Sequence, residues 1–323
     1  MLYDIAILGG GASGLLAACA LSESGRRIVI LEKQGRVGRK LLSTGNGRCN
    51  LTHRGAKPSD YHGSRQAAQL ALKTWPPGRI EGVFERLGIP CVADDEGRVY
   101  PMSHQAASVL DALRLKCDEG GVETLTEFCV TKLNRSKAGF EATSADGRKV
   151  GARCVLICTG GLAAPKLGAS GEGYRLLESL GHAVTPRFPA IAALKTPPEP
   201  VRGLKGIRAE GTVTLLSGRD ELRTEAGELT RPELDRLTTL LTGWVIPVTG
   251  TQDFDQAQVT AGGASLKDFD IRTLRSLRCP GLFAAGEVLD VDGDCGGFNL
   301  QWAWSSALMA AQGITDYLME VAP

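Results

Sequence analysis

The sequence predicts an α/β fold in which helices cover a mostly parallel sheet extended by a β-meander, with a small, reduced β-rich second domain. Three observations predict it. The apolar run from Tyr3 to Leu8 leads through a glycine-rich turn into a helix and a second buried run. Two later apolar runs, 153–158 and 281–285, also end in glycine. Short alternating segments between residues 122 and 150 are typical of a β-meander.

The N-terminal turn is a G-x-G-x-x-G motif between a strand and a helix. Gly9 permits the tight turn, Gly11 lets the backbone approach a pyrophosphate, and Gly14 lets the helix pack closely on the strand. Ala12 and Ser13 lie within the motif, and the helix that follows has an N-terminus that attracts negative charge. Glu32 ends the second strand, where a carboxylate accepts hydrogen bonds from both hydroxyls of an unphosphorylated adenosine ribose. The motif therefore predicts a Rossmann-like dinucleotide site and, by itself, fits FAD and NAD equally.

Composition limits the partners. Lysine and arginine total 37 against 36 aspartate and glutamate residues, so no net field attracts nucleic acid or an anionic membrane, and we expect a small-molecule substrate. No apolar run reaches the roughly 18 residues of a membrane span, and residues 2–8 lack the features of a signal peptide, which predicts a cytoplasmic protein. Nine cysteines without a C-x-x-C pair predict reduced thiols and no metal site.

Two later strand ends resemble FAD contacts of the glutathione-reductase-like flavoproteins. The run 153–158 ends in Thr159, Gly160 and Gly161, and the run 281–285 ends in Gly286 and Glu287. The resemblance implies that these turns meet the cofactor and that Glu287 hydrogen-bonds hydroxyl groups on the ribityl side. It also implies that the backbone of Val130 pairs with the adenine edge.

A closer resemblance is to the BaiN-like, or "aminoacetone oxidase family", FAD-binding enzymes. Residues 38–50, GRKLLSTGNGRCN, and 286–301, GEVLDVDGDCGGFNLQ, are similar to two long motifs of that family. The resemblance implies non-covalently bound FAD. Besides the residues above, the candidate cofactor-binding residues are Lys33, Arg39, Lys40, Asn46, Arg48, Cys49, Asn50, Gly297, Phe298, Asn299 and Leu300.

Both motifs also have a physical interpretation. The glycines before residue 298 lead into an alanine-rich helix, whose positive N-terminal end would favour the anionic reduced flavin. Arg39, Lys40 and Arg48 could neutralise the pyrophosphate or hold the ring carbonyls, although such cations are more often solvated. Cys49 and Cys295 invite a redox-pair hypothesis, but structural thiols are the expectation because reactive pairs usually form a C-x-x-C motif.

The middle of the chain departs from the family. We expect residues 1–185 and 251–323 to form the FAD-binding domain, and residues 186–250 a reduced substrate or lid subdomain with an alternating strand at 211–216. Most members of the resembled family are longer in this region, with a helical segment and a motif of the form H-x-G-L-S-G-P, and this sequence has neither.

The resemblance implies an FAD-dependent oxidoreductase that moves hydride between flavin N5 and a small organic substrate or NAD(P)H. The sequence has no second G-x-G-x-x-G motif, so a nicotinamide would dock directly over the flavin. Two alternatives remain open: a flavin-binding protein without turnover, such as a sensor, and an NAD-dependent dehydrogenase. His53 and His104 are candidate general acids or merely structural residues.

Overall fold

The structure is a computed structural model that describes residues 2–198, 202 and 245–321. Its contacts divide the chain into two compact units, Met1–Ala192 with Asp253–Pro323, and Ala193–Gln252. The strand expected at 211–216 lies outside the described residues, and the domain division drawn from the sequence stays a prediction. Within the described ranges, no helix is both long and apolar enough to cross a bilayer.

The strands and helices follow one another along most of the described chain. The strands are β1 Leu2–Leu8, β2 Ile28–Leu31, β3 Thr52–His53, β4 Tyr61–Gly63, β5 Cys91–Ala93, β6 Arg98–Pro101, β7 Glu123–Leu125, β8 Val130–Ser136, β9 Gly139–Ser144, β10 Lys149–Ile157, β11 Phe188–Ala190, β12 Leu194–Lys195, β13 Gly250–Thr251, β14 Val259–Ala261, β15 Leu282–Ala284 and β16 Val291–Gly293. The helices are α1 Ala12–Ser22, α2 Arg39–Ser43, α3 Arg65–Thr74, α4 Pro77–Arg86, α5 Ala106–Glu119, α6 Glu172–Ser179 and α7 Phe298–Glu320.

One seven-stranded sheet organises the larger unit, in the order β7-β2-β1-β10-β9-β8, with β15 also paired to β10. The pairings among β1, β2, β7, β10 and β15 are parallel, whereas β9 pairs antiparallel with both β8 and β10 to form a meander. Parallel sheets are normally buried on both faces, and all four residues of β2 are buried. The α/β class, the parallel sheet and the meander predicted from the sequence are confirmed.

The strand β10 differs from the expectation of two separate strands at 149–150 and 153–158. It is continuous because its two ends have different neighbours. Residues 149–152 pair antiparallel with β9, while residues 151–157 pair parallel with β1. One strand therefore joins the meander to the parallel sheet, and the turn at 159–161 lies next to the end of β1.

The helices agree with the apolar periodicities. Helices α3 and α4 meet near Trp75 because the proline at position 77 starts a new helix. Helix α1 packs against both α5 and α7.

Two smaller sheets flank the start of α7. The strands β3, β6 and β5 form an antiparallel sheet, and β16 pairs with β4. The ring of His53, in β3, stacks on Phe298, the first residue of α7, with centroids 4.8 Å apart. These sheets therefore bring the loops after β2 and after β15 to the same helix end.

Candidate cofactor and active site

One cavity of about 630 Å³ brings the separated motifs together. It is lined by the turn after β1, the end of β2, the loop 38–50, the turn after β10 and the first residues of α7. The predicted cofactor-binding residues that line it are Gly9, Gly11, Ala12, Ser13, Glu32, Lys33, Arg39, Lys40, Asn46, Arg48, Asn50, Val130, Thr159, Gly160, Gly161, Glu287, Gly297, Asn299 and Leu300. Four do not line it: Gly14, Cys49, Gly286 and Phe298.

The glycines of the first turn have different surroundings. Gly9 has a φ of 104°, and a Cβ atom there would lie 2.5 Å from the Cys158 carbonyl oxygen. A Cβ atom on Gly14 would lie 2.0 Å from the Gly9 carbonyl oxygen, which explains why Gly14 serves packing and stays out of the cavity. A Cβ atom on Gly11 would meet no atom within 4 Å. Among Gly9, Gly11 and Gly14, Gly11 is therefore the glycine whose surroundings leave space for a ligand.

Glu32 is held by backbone amides. Its Oε2 accepts a hydrogen bond from the Gly10 amide at 2.8 Å, and its Oε1 accepts one from the Gln34 amide at 2.8 Å. An ionised carboxylate offers about four acceptor positions, so two remain for the hydroxyls of a ribose. Beside it, Lys33 and Glu172 form an ion pair of 3.0 Å that closes this end of the cavity.

The start of α7 forms the other end of the cavity. Gly297, with a φ of 102°, precedes the helix, and a Cβ atom there would lie 2.6 Å from the Asn50 side-chain oxygen. That oxygen is buried and has no hydrogen-bond partner among the described residues. An unpaired buried acceptor beside a positive helix end fits a ligand that presents an N–H group and carries negative charge, as the isoalloxazine of reduced FAD does.

Glu287 is engaged by two protein groups. Its Oε2 accepts a hydrogen bond from the Lys40 ammonium at 2.7 Å, and its Oε1 accepts one from the Thr260 amide at 2.9 Å. The two charged side chains are 30% and 21% exposed. This pair ties the loop after β2 to the turn after β15. The expected role of Glu287 toward ribityl hydroxyls stays a prediction.

Gly286 and Phe298 belong to the framework of the site. A Cβ atom on Gly286 would lie 2.5 Å from the Ser13 hydroxyl oxygen, and its amide donates to the Ser306 hydroxyl at 2.9 Å. Phe298 packs between His53 and Tyr61, and its carbonyl accepts a hydrogen bond from the Tyr61 hydroxyl. Both residues position the start of a helix whose backbone lines the cavity.

Asn299 acts as a brace for the preceding loop. Its amide oxygen accepts a hydrogen bond from the Gly293 amide at 2.8 Å, and its amide nitrogen donates to the Gly293 carbonyl at 2.7 Å. These bonds leave the backbone amides of the first turn of α7 as the groups that residues 299 and 300 offer to a ligand.

Among the two candidate thiols and the two candidate general acids, Cys295 alone lines the cavity. Burial raises the pKa of the Cys49 thiol to about 12, whereas Cys295 is exposed. A thiol with a raised pKa is a poor nucleophile at neutral pH, in line with the expected structural role. His53 accepts a hydrogen bond from the Gly55 amide, His104 is exposed, and neither histidine lines the cavity.

Arg98 and Tyr100 are among the residues of the cavity wall that the sequence reasoning missed. Arg98 and Tyr100 occupy alternate positions of β6, and both line the cavity. The Arg48 guanidinium lies over the Tyr100 ring, 4.8 Å from its centroid. The alternation of side chains along β6 could have predicted that both residues lie on one face of the strand. It could not have predicted where that face lies, because the pairing of β6 with β3 brings it to the start of α7.

Comparison with known proteins agrees with this geometry. Residues 3–313 match the family model described as HI0933-like protein Rossmann domain. The chain belongs to this family. It is the BaiN-like family of FAD-dependent oxidoreductases that the two long motifs indicated, and membership confirms the FAD-binding fold and the flavin redox class.

Two curated relatives span nearly the whole chain. It is 30% identical over 406 positions to the 3-dehydro-bile acid delta(4,6)-reductase of Clostridium scindens, covering 97% of this chain and 99% of the relative. It is 26% identical over 393 positions to the ribosomal RNA dihydrouridine synthase of Escherichia coli, covering 97% and 98%. Both alignments are longer than the 323 residues of this chain, so both relatives carry segments without a counterpart here.

Solved structures share the fold at low sequence identity. The open conformation of a flavocytochrome c3 fumarate reductase aligns with a TM-score of 0.61 at 16% identity, over 98% of this chain and 78% of that one. The 3-ketosteroid-delta4-(5alpha)-dehydrogenase from Rhodococcus jostii aligns with a TM-score of 0.53 at 15% identity, over 96% and 97%. Likeness at this level extends to the fold.

Proposed function

We propose that this protein is an FAD-dependent reductase of a small organic molecule in which a carbon–carbon double bond is conjugated to a carbonyl group. The observation that carries the proposal is one continuous cavity, which runs from the open turn at Gly11 to the unpaired acceptor of Asn50 at the start of α7. It offers an anion-binding helix end at each extremity. Bound FAD supplies the hydride chemistry, and the protein supplies binding and orientation.

The substrate class is supported by what two relatives have in common. A bile acid with a 3-oxo group and a ring double bond, and the uracil ring that becomes dihydrouracil, both carry an electron-poor double bond next to a carbonyl group. The balanced net charge favours a small molecule over RNA as the substrate of this chain.

The residues that hold FAD are part of the proposal. Gly9 to Ser13 would receive the pyrophosphate, Glu32 the adenosine ribose, and Val130 the adenine edge. Residues 159–161 and Glu287 would contact the ribityl side, and the loop 38–50 with residues 297–300 would contact the ring. NAD(P)H is proposed as the electron donor, docking directly over the flavin.

The remaining proposals concern the setting of the reaction. Residues 186–250 would form a reduced substrate or lid subdomain, and the protein would act in the cytoplasm. Burial of most described cysteines as free thiols supports a reducing compartment.

The test begins with the colour of the purified protein. Flavin should copurify, lose its absorbance anaerobically on addition of NADH or NADPH, and recover it on addition of a cyclic conjugated ketone. Glu32→Ala should lower FAD affinity by about tenfold to a hundredfold, because hydrogen bonds to a charged acceptor contribute about 1.5–3 kcal/mol. Full cofactor retention in this variant would refute the ribose assignment.

Three outcomes separate the alternatives. Colour without reduction by any donor would indicate a flavin-binding protein without turnover. A colourless protein that binds NAD would indicate a dehydrogenase. Reduction of the flavin by saturated amines or acids, together with no reoxidation of the reduced flavin by conjugated ketones, would refute the proposed substrate class.

A further inference from the structure

We infer that Tyr100 and Arg48 form an oxyanion-binding site for the substrate, at the α7 end of the cavity. The inference rests on the proposed function, because an oxyanion develops when hydride adds to a double bond conjugated with a carbonyl group. It assigns to Arg48 a role toward the substrate in place of the cofactor role that its motif suggested.

The position of Tyr100 follows from strand pairing. In the β3-β6 pair, Arg98 lies opposite His53, and the His53 ring stacks on Phe298 at the start of α7. Tyr100 lies two residues beyond Arg98 and points to the same face of β6, so its side chain also lines the cavity. A short path of packed groups therefore connects this tyrosine to the helix end where the flavin ring is proposed to lie.

The hydroxyl group of Tyr100 is free to bind a ligand. The residue is 4% exposed and lines the cavity, and no hydrogen bond from its hydroxyl is found within the described residues. By contrast, the buried Tyr61 donates its hydroxyl to the Phe298 carbonyl. A hydroxyl on a cavity-lining tyrosine that is bonded to no protein group is available to a polar atom of a ligand.

Two arginines lie near Tyr100, one over its ring and one two residues away on β6. The Arg48 guanidinium stacks on the Tyr100 ring and, within the described ranges, has no carboxylate within salt-bridge distance. Arg98 lies beside it but is paired with Asp94 at 2.7 Å and with Glu96 at 2.9 Å. Of the two arginines near Tyr100, Arg48 is therefore the one whose charge is available to a substrate, and the stack on Tyr100 keeps both donors together.

The chemistry uses these groups as donors. When hydride, with its electron pair, adds to the β-carbon of the substrate, the π electrons move to the carbonyl oxygen and leave an enolate. The Tyr100 hydroxyl and the Arg48 guanidinium would donate hydrogen bonds to that oxygen, where negative charge develops. Water then supplies the proton to the α-carbon. Reduced FAD, regenerated by NAD(P)H, is the reductant in this balance.

The first test is binding without turnover. The probe is 4-nitrophenolate, a planar oxyanion, titrated calorimetrically into the FAD-loaded protein at a pH above the probe's pKa, with neutral 4-nitroanisole as the matched ligand. Wild type should bind the phenolate more tightly. Tyr100→Phe, which keeps the ring and its stack, and Arg48→Met should each weaken phenolate binding by about tenfold to a hundredfold.

Control variants and flavin content make the result decisive. Tyr3→Phe removes a hydroxyl on β1, outside the cavity, and should bind the phenolate as wild type does. Equal phenolate affinity in wild type and Tyr100→Phe, or no preference of wild type for the phenolate over the anisole, would overturn the inference. Loss of FAD from Arg48→Met would show that Arg48 binds the cofactor and would overturn its assigned role toward the substrate.

A second measurement separates this inference from the proposed function. Reoxidation of the reduced protein by 2-cyclohexenone should slow at least tenfold in Tyr100→Phe, while flavin reduction by NAD(P)H keeps its rate. Equal reoxidation in wild type and variant would overturn the oxyanion site and leave the proposed function standing. Phenolate binding that needs Tyr100, in a protein that no conjugated ketone reoxidises, would support the oxyanion site and refute the proposed function.

Discussion

The two ends of the cavity are built in different ways. At the α1 end, one βαβ unit supplies the glycine turn and Glu32, and the decisive contacts are made by backbone. At the α7 end, the site is assembled from residues far apart in sequence. Lys40 and Glu287, which are 247 positions apart, form an ion pair, and Asn50 lies against Gly297. A short motif can therefore specify the first end, whereas tertiary packing must complete the second.

The largest effects should come from the backbone end. Gly14→Ala places a methyl group 2.0 Å from the Gly9 carbonyl oxygen, so α1 must move away from β1. Overpacking of this kind costs about 1–3 kcal/mol, and we expect a lower unfolding midpoint together with loss of FAD. Gly11→Ala is the matched variant, because its methyl group meets no atom within 4 Å.

The pair of glycine variants separates folding from binding. Gly11→Ala should unfold at the wild-type midpoint in the absence of FAD and should bind FAD poorly, because the methyl group occupies space open to the ligand. Thermal denaturation and flavin absorbance measure the two quantities. Wild-type FAD affinity in Gly11→Ala would show that the pyrophosphate does not approach this residue.

This contrast also explains how far the sequence could lead. The roles of Gly9 and Gly14 were predictable because each depends on a conformation or a close approach set within the motif. The site around Tyr100 was not, because its position depends on the pairing of β6 with β3 and on the contact of β3 with α7. The strand β10 was divided in two because a strand that changes neighbours midway has no separate sequence signal.

Glu287 shows the same limit for a charged residue. The strand-end motif placed it at the cofactor, and the structure places it in the cavity wall. The motif carried no information about the Lys40 ammonium, which donates to Oε2 of Glu287, or about the Thr260 amide, which donates to Oε1. Long-range charge pairing depends on the folded loops, so it becomes visible only when the two ends of the chain are brought together.

A smaller effect should come from the ion pair of the α7 end. Lys40→Met leaves the partly buried Glu287 without its cation, and Glu287→Gln leaves Lys40 unpaired. Each variant should lose about 1 kcal/mol of unfolding free energy, a modest value because both side chains are partly exposed. The double variant should lose less than the sum of the two, as a double-mutant cycle in urea would measure.

Additivity in that cycle would contradict a direct interaction between the two side chains. It would also remove the long-range tie on which the contrast between the two ends of the cavity depends.

The smallest effect concerns pH and again separates the two ends. The Glu32 carboxylate accepts hydrogen bonds from two backbone amides. Asp292, in β16, is buried, with 5% of its surface exposed. Burial raises the pKa of Asp292; His62 opposes this shift, and the charge of Asp290 adds to it. An aspartate whose pKa is raised on folding lowers stability at neutral pH, and that cost disappears as the pH falls below the ordinary aspartate pKa.

Asp292→Asn should therefore raise the melting temperature at pH 7 by about 2 °C or less, and the gain should shrink toward zero on acidification. Thermal melts of both proteins across the acidic range measure the difference. Asp111→Asn is the control, because its side chain is 70% exposed and its removal relieves no buried charge. If the rise in melting temperature of Asp292→Asn is the same at every pH, it comes from packing and not from the buried carboxylate. The contrast between Asp292 at the α7 end and the amide-bound Glu32 at the α1 end would then fail.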